Sequence, residues 1–173
     1  MPINYEFKAK SIQNQKYEAV LLEEKADFKG VDFQKDTYFN VPNGRMKLRE
    51  GNIENFLIHY LRSNDASAKI SEVLLYKTAV ESNLKTLLTT ALGVKVVVDK
   101  KRKIFFIDNV KFHLDEIEGL GEFVEIEAID TDGSRSIADL KAQCDYFQHL
   151  LGIKDDEMVA ISYSDMLIQQ KTK

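Results

Sequence analysis

The chain has 173 residues, enough for one domain with a sizeable core, and it is 44% apolar and 30% charged, which excludes compositional disorder. Acidic side chains outnumber basic ones 28 to 24, and the resulting formal charge of −4 argues against bulk binding to nucleic acid or to an anionic membrane. A lone cysteine, Cys144, excludes an intramolecular disulfide framework, no run approaches the ~18 apolar residues of a membrane span, and the opening residues lack the form of a secretory signal, so a cytoplasmic protein is expected.

Alternation of apolar Ile3, Tyr5, Phe7 and Ala9 with polar Asn4, Glu6, Lys8 and Lys10 predicts a first strand. Residues 12–25 read as a helix whose apolar face includes Ile12, Ala19 and Leu22. Strands are predicted at 34–41 and 44–50 around the turn signal Pro42-Asn43-Gly44, then at 53–62 and 71–78. A helix over 82–92 ends at Gly93. A long strand follows over 94–107. Asp108-Asn109 turns into a strand at 110–116, and Glu118-Gly119-Leu120-Gly121 into another at 122–129. Ile137, Leu140, Ala142, Cys144, Phe147, Leu150 and Leu151 predict a helix over 134–151, capped by Ser134 and stopped by Gly152, with Cys144 in the core. A last short helix is predicted at 163–170. No linker or repeat divides the chain, so residues 1–173 read as one domain. Most connections between strands are short, which predicts an α+β fold on a large antiparallel sheet or barrel.

The charges fall on single strand faces. Arg45, Lys47 and Arg49 oppose Met46 and Leu48; Glu125 and Glu127 oppose Val124, Ile126 and Ala128; Lys111, His113 and Asp115 oppose Val110, Phe112 and Leu114; Lys100 and Arg102 share a face. One such strand is ordinarily a half-buried strand with a solvated side. Across several strands, with helices that also need apolar sheet to rest on, a barrel with its apolar faces outward and its charged faces inward satisfies every segment. Its lumen must be wet or ligand-filled, because unpaired interior charge is too costly. Such a tunnel suits a polyanion with a divalent metal, carboxylates holding the cation and basic side chains the phosphate oxygens.

Asn4-Tyr5-Glu6-Phe7-Lys8 resembles the E-x-E-x-K signature of the CYTH superfamily, the triphosphate tunnel metalloenzymes that include class IV adenylyl cyclases and thiamine triphosphatases. Further segments are similar in the family's order: Asp36-Thr37-Tyr38-Phe39, Arg45-Met46-Lys47-Leu48-Arg49, Lys100-Lys101-Arg102, Leu114-Asp115-Glu116 through Gly119-Leu120-Gly121-Glu122-Phe123-Val124-Glu125-Ile126-Glu127, and Ser162-Tyr163-Ser164-Asp165. The resemblance implies an antiparallel eight-stranded β-barrel, a tunnel with helices packed on the outside. It implies that Glu6, Glu125 and Glu127 hold Mg²⁺ or Mn²⁺. Arg45, Lys47, Arg49, Lys100 and Arg102 would clamp a triphosphate, with Arg62, Lys77 and Lys111 as further substrate-binding positions and Tyr38 and Tyr60 nearby. Lys8 would assist the leaving group, and Asp115 would serve as a fourth ligand or proton acceptor. The chain departs from the signature at Asn4, whose amide oxygen can coordinate a cation but adds no charge. It departs again at Arg62, where an arginine binds phosphate but is a poor proton acceptor.

Two reactions fit such a tunnel: cyclisation of ATP to cyclic AMP and pyrophosphate, which the short chain, the D-T-Y-F segment and the K-K-R strand favour, and hydrolysis of an inorganic, thiamine or nucleoside triphosphate. A third reading, permitted by Asn4, is a polyphosphate- or nucleotide-binding module without catalysis. The expected partner is a small-molecule triphosphate, with neither nucleic acid nor membrane, and the resemblance admits a homodimer. His59, His113 and His149 are scattered, and no Cys/His spacing matches a zinc site.

Overall fold

A computed structural model describes residues 3–62 and 69–173 of the chain, with side chains at 3–61 and 73–173. In chain order the elements are β1 (Ile3–Ser11), α1 (Asn14–Glu23), β2 (Asp27–Phe39), β3 (Arg45–Glu50), β4 (Phe56–Arg62), β5 (Lys69–Lys77), α2 (Leu84–Leu92), β6 (Val94–Ile107), β7 (Val110–Ile117), β8 (Gly121–Asp130), α3 (Ile137–Leu151), a 3₁₀ turn (Asp155–Glu157) and α4 (Tyr163–Lys171). All strand pairs are antiparallel, in the ring order β1-β5-β4-β3-β2-β6-β7-β8. The ring closes over a short pairing of β1 with β5, from Ile3↔Glu72 to Glu6↔Lys69. This is the expected barrel, and among the described residues no helix is long and apolar enough to cross a membrane.

The outer wall carries the main core. Tyr5, Phe7 and Ala9 of β1, Phe112 and Leu114 of β7, and Val124, Ile126 and Ala128 of β8 are buried beneath Tyr17 and Leu21 of α1 and the α3 seam Leu140, Cys144, Phe147 and Leu151. Phe112 and Phe147 meet edge to face at 4.8 Å. A smaller cluster joins Leu88 of α2 to Phe39 and Leu48. A third, of Tyr38, Val96, Val98, Ile117 and Phe123, lies on the inward strand positions and is plugged by Tyr163 at the start of α4. Alternation therefore puts grease outside under helices, ionic groups inside, and one apolar stopper within.

Some local expectations fail for identifiable reasons. β2 begins at Asp27, seven residues ahead of the predicted strand; Gly30, at φ +125°, sits at a bulge against β6 and interrupts the alternation. β4 starts at Phe56 instead of 53, because the buried Asp32 carboxylate accepts from the backbone N–H groups of Ile53 and Glu54, both at 2.9 Å, and holds 51–55 as a loop. α1 starts at Asn14, so its buried seam is Tyr17 and Leu21; Ile12, Ala19 and Leu22, the predicted apolar face, are all exposed. The cap of α3 is Ser136 and not Ser134: its hydroxyl accepts from Asp139 N–H while the Asp139 carboxylate accepts from Ser136 N–H. Gly152 stops the helix in the left-handed region, as expected.

Candidate active site

Period-2 alternation in eight paired strands brings distant residues side by side inside the barrel. Glu6 lies opposite Glu127, Lys8 opposite Glu125, Lys111 opposite Glu127, His113 opposite Glu125, Arg102 opposite Asp115, and Arg49 opposite Asp36. They surround a cavity of about 570 Å³ lined by Lys8, Lys47, Arg49, Lys100, Arg102 and Lys111 and by the carboxylates Glu6, Glu54, Glu125 and Glu127. The wall formed by β4 and β5 is different. Phe56, Ile58, Val73 and Leu75 make it apolar.

The cations are held by carboxylates set behind them. Asp36, 1% exposed, accepts two bonds from Arg49, at 2.9 Å each, one from Lys47 at 2.9 Å and one from Lys100 at 2.7 Å. Burial opposes its ionisation, yet Arg49, Lys100 and Lys47 hold its carboxyl well below the ordinary range. Burial and then Arg49 press the Lys100 ammonium well below its usual value, against the pull of Asp36. Asp115 receives a bidentate pair from Arg102, both bonds 2.6 Å, and a 2.7 Å bond from the Tyr163 hydroxyl. Fully buried and outside the cavity lining, Asp115 anchors Arg102; a carboxylate so saturated is poorly placed for the proton-acceptor or metal-ligand role that the resemblance implies. Lys8 stands 3.6 Å from Glu125 and over the Tyr163 ring at 4.3 Å.

Two of the expected phosphate-binding positions, Arg45 and Lys77, fall elsewhere. Arg45 turns to α4, donating to Ser162 Oγ and Asp165, each at 2.7 Å, and so ties the helical cap to β3. Lys77 ends β5, exposed and outside the cavity lining. The Arg62 side chain lies outside the described residues. Tyr38 and Tyr60 do line the cavity, and Lys47 reaches the Tyr38 hydroxyl at 3.3 Å.

Two groups escaped the sequence reading. Glu54 sits in the loop before β4, where no periodicity marks it, and accepts from Arg49 at 2.8 Å and from Lys111. His113 is 2% exposed and lines the cavity, its Nδ1 3.0 Å from Glu125 Oε1. Its inward register between Lys111 and Asp115 was visible in the alternation of β7, but charge and not imidazole drew the reading. Burial, and then Arg102, pull its pKa down to about 3, so the ring is neutral at pH 7.

The carboxylate end has the chemistry of a cation seat. Burial, then the charge of Glu6, push the Glu127 carboxyl up to about 7. Asn4 Nδ2 donates to Glu127 Oε1 at 2.5 Å, while Asn4 Oδ1 is buried without a partner. Crowded carboxylates and an orphaned amide oxygen are the oxygen donors that a hard divalent cation takes. The residues fit such an ion, with Glu6, Glu125, Glu127 and Asn4 as the oxygen donors.

Comparison with known proteins agrees with this architecture. A family model, the CYTH domain, matches residues 2–160. No curated protein sequence matches significantly. Among solved structures, the PH1012 protein of Pyrococcus horikoshii superposes with a TM-score of 0.76 at 22% identity, over 94% of this chain and 98% of its own. A proposed adenylate cyclase of Vibrio parahaemolyticus gives 0.76 at 18% identity, over 96% and 98%. A proposed adenylyl cyclase of Hippeastrum, whose dominant activity is that of a triphosphatase, gives 0.61 at 15% identity, over 100% and 97%. At these identities the likeness is one of fold.

Proposed function

This chain belongs to the CYTH family, and from that premise we propose that it is a metal-dependent enzyme that cyclises a nucleoside triphosphate, with ATP to cyclic AMP and pyrophosphate as the first reaction to test. The observation that carries this reading is the pairing, within one cavity of about 570 Å³, of an ionic wall with an apolar one. The ionic wall suits a triphosphate, and Phe56, Ile58, Val73 and Leu75 supply a surface on which a base and ribose can rest. Cyclisation needs both, since the attacking hydroxyl belongs to the substrate and must be held in line with the α-phosphorus.

Charge balance supports metal dependence. Six lining cations face four lining carboxylates, with Asp36 and Asp115 behind them. The cavity is near neutral by formal count, so a triphosphate that entered alone would carry in about four uncompensated negative charges. Mg²⁺ or Mn²⁺ held by Glu6, Glu125, Glu127 and Asn4 would offset that charge and polarise the phosphoryl oxygens. The chain's own residues do the rest. Lys47, Arg49, Lys100 and Arg102 bind the phosphate oxygens, Asp36 and Asp115 keep those cations aimed, and Lys8, which also lines the cavity, neutralises the leaving pyrophosphate.

A second reading is hydrolysis of the triphosphate, which the same ionic wall would serve and which the dominant triphosphatase activity of the Hippeastrum neighbour supports. Incubation with ATP and with tripolyphosphate, each with Mg²⁺ or Mn²⁺, separates the readings. Cyclic AMP with pyrophosphate supports the cyclase, and orthophosphate from either substrate supports the hydrolase. Saturable binding without turnover would leave a nucleotide-binding module.

A further inference from the structure

One lining carboxylate has no part in the proposed reaction. Glu6, Glu125 and Glu127 belong to the cation seat, while Asp36 and Asp115 are buried behind the cations they aim. Glu54 differs from both sets. It comes from the loop before β4, lines the cavity itself, and keeps 14% of its side chain exposed. Its Oε2 accepts from Arg49 Nη1 at 2.8 Å and its Oε1 from Lys111 Nζ, so one carboxylate bridges a cation of β3 and a cation of β7. Neither cation depends on it for aim. Arg49 is already fixed by two 2.9 Å bonds to Asp36, and Lys111 stands opposite Glu127 in register, its ammonium 5.7 Å from the centre of the Phe106 ring. Burial opposes ionisation of Glu54, but Arg49 and then Lys111 hold its carboxyl well below the usual range, so it stays charged.

We propose that Glu54 is an internal competitor of phosphate: its carboxylate holds an anion pocket made by Arg49 Nη1 and Lys111 Nζ, and an end phosphate of the substrate binds there by displacing it. This rests on the reading that the cavity takes a triphosphate at all. A carboxylate and a phosphate make the same charge-assisted hydrogen bonds, so whichever occupies the pocket excludes the other. The exchange needs no movement of the backbone. Asp32 accepts from the N–H groups of Ile53 and Glu54, and the Asn55 side-chain amide bonds both the N–H and the C=O of Gly51. The loop is thus braced, while the partly exposed Glu54 side chain can swing toward solvent. Its carboxylate spares two cations the cost of standing unpaired, and against a ligand it is a rival for them. The rivalry bears hardest on metal-free polyphosphate, because a divalent cation offsets part of the charge brought past Glu54. Glu54 thereby selects for the metal-loaded substrate.

The test titrates the full-length protein with tripolyphosphate by calorimetry, in chelator and in Mg²⁺. Glu54→Gln should tighten tripolyphosphate about tenfold in chelator and less than about threefold in Mg²⁺, so that the advantage given by the metal shrinks. Glu50→Gln, which removes an exposed carboxylate at the end of β3, should leave both affinities within about twofold. In a structure of wild type with tripolyphosphate bound, phosphate oxygens should sit on Arg49 Nη1 and Lys111 Nζ, with Glu54 turned away. That structure decides the matter even if Glu54→Gln fails to fold. Affinity in chelator that Glu54→Gln weakens or leaves unaltered, an equal gain from Glu50→Gln, or a bound structure in which Glu54 still bridges the two cations would overturn the exchange and leave the triphosphate site standing. No saturable binding of tripolyphosphate to wild type in either buffer would overturn the reading of the cavity as well.

Discussion

Glu127 shows how a single carboxyl reports on its surroundings. Its pKa is raised from 4.5 to about 7 by burial and by Glu6. The folded protein therefore holds a proton there that the unfolded chain releases, and the stability this gives is full below pH 4.5 and lost as pH rises through 7. In chelator, the melting temperature of wild type relative to Glu127→Gln should fall as pH goes from 4.5 to 7, and Mn²⁺ should recover it. A difference that stays flat across this window would show that Glu127 does not feel its neighbours. His113 slopes the opposite way. Neutral in the fold and protonated in the unfolded chain, it lowers stability as pH falls below 6.5, which is why a variant difference is more informative than the raw profile. Asn4→Glu should tighten Mn²⁺ binding by restoring an anionic donor; a weaker metal titration would count against the placing of Asn4 at the seat.

At the scale of the element, the strands matter through the pairs they align. Asp36 of β2 compensates Arg49 and Lys47 of β3 and Lys100 of β6. Asp36→Asn strands these buried cations and should destabilise the fold by about 3–5 kcal/mol in urea denaturation. A loss under about 1 kcal/mol would mean that the clamp is wetter than its geometry indicates. Helix α4 is held by a weaker device: Arg45 and Asp165 are each about a quarter exposed, 25% and 30%, so Arg45→Ala should cost only about 1 kcal/mol. Its expected signature is faster hydrogen exchange along α4, with the α3 amides unchanged.

For the whole molecule, the balance between lining cations and carboxylates governs binding. Lys100→Ala/Arg102→Ala should weaken tripolyphosphate by at least ~2 kcal/mol, the scale of charge-assisted hydrogen bonds lost, read by calorimetry with Mg²⁺ present. Wild type should bind tripolyphosphate about tenfold more weakly in chelator than in Mg²⁺. Equal affinities in the two buffers would show that the barrel's own cations suffice.

Much of this was legible along the chain because periodicity is a local property. Arg45, Lys47 and Arg49 read as one face however β3 is later paired, and so do Glu125 and Glu127 in β8; outer grease and inner charge followed from counting by twos. Leu140, Cys144, Phe147 and Leu151 marked the α3 seam by the same logic at helical spacing. What could not be read depends on partners remote in sequence. Asp32 takes the backbone of 53–54 out of a strand, Glu54 enters the lumen from a loop, Arg45 leaves the phosphate wall for α4, and Asp115 is spent on Arg102 and Tyr163. A side chain's face is set by its own strand, but its partner and its freedom to touch a ligand are set by the register of strands that the sequence keeps apart; only closing the barrel decides them.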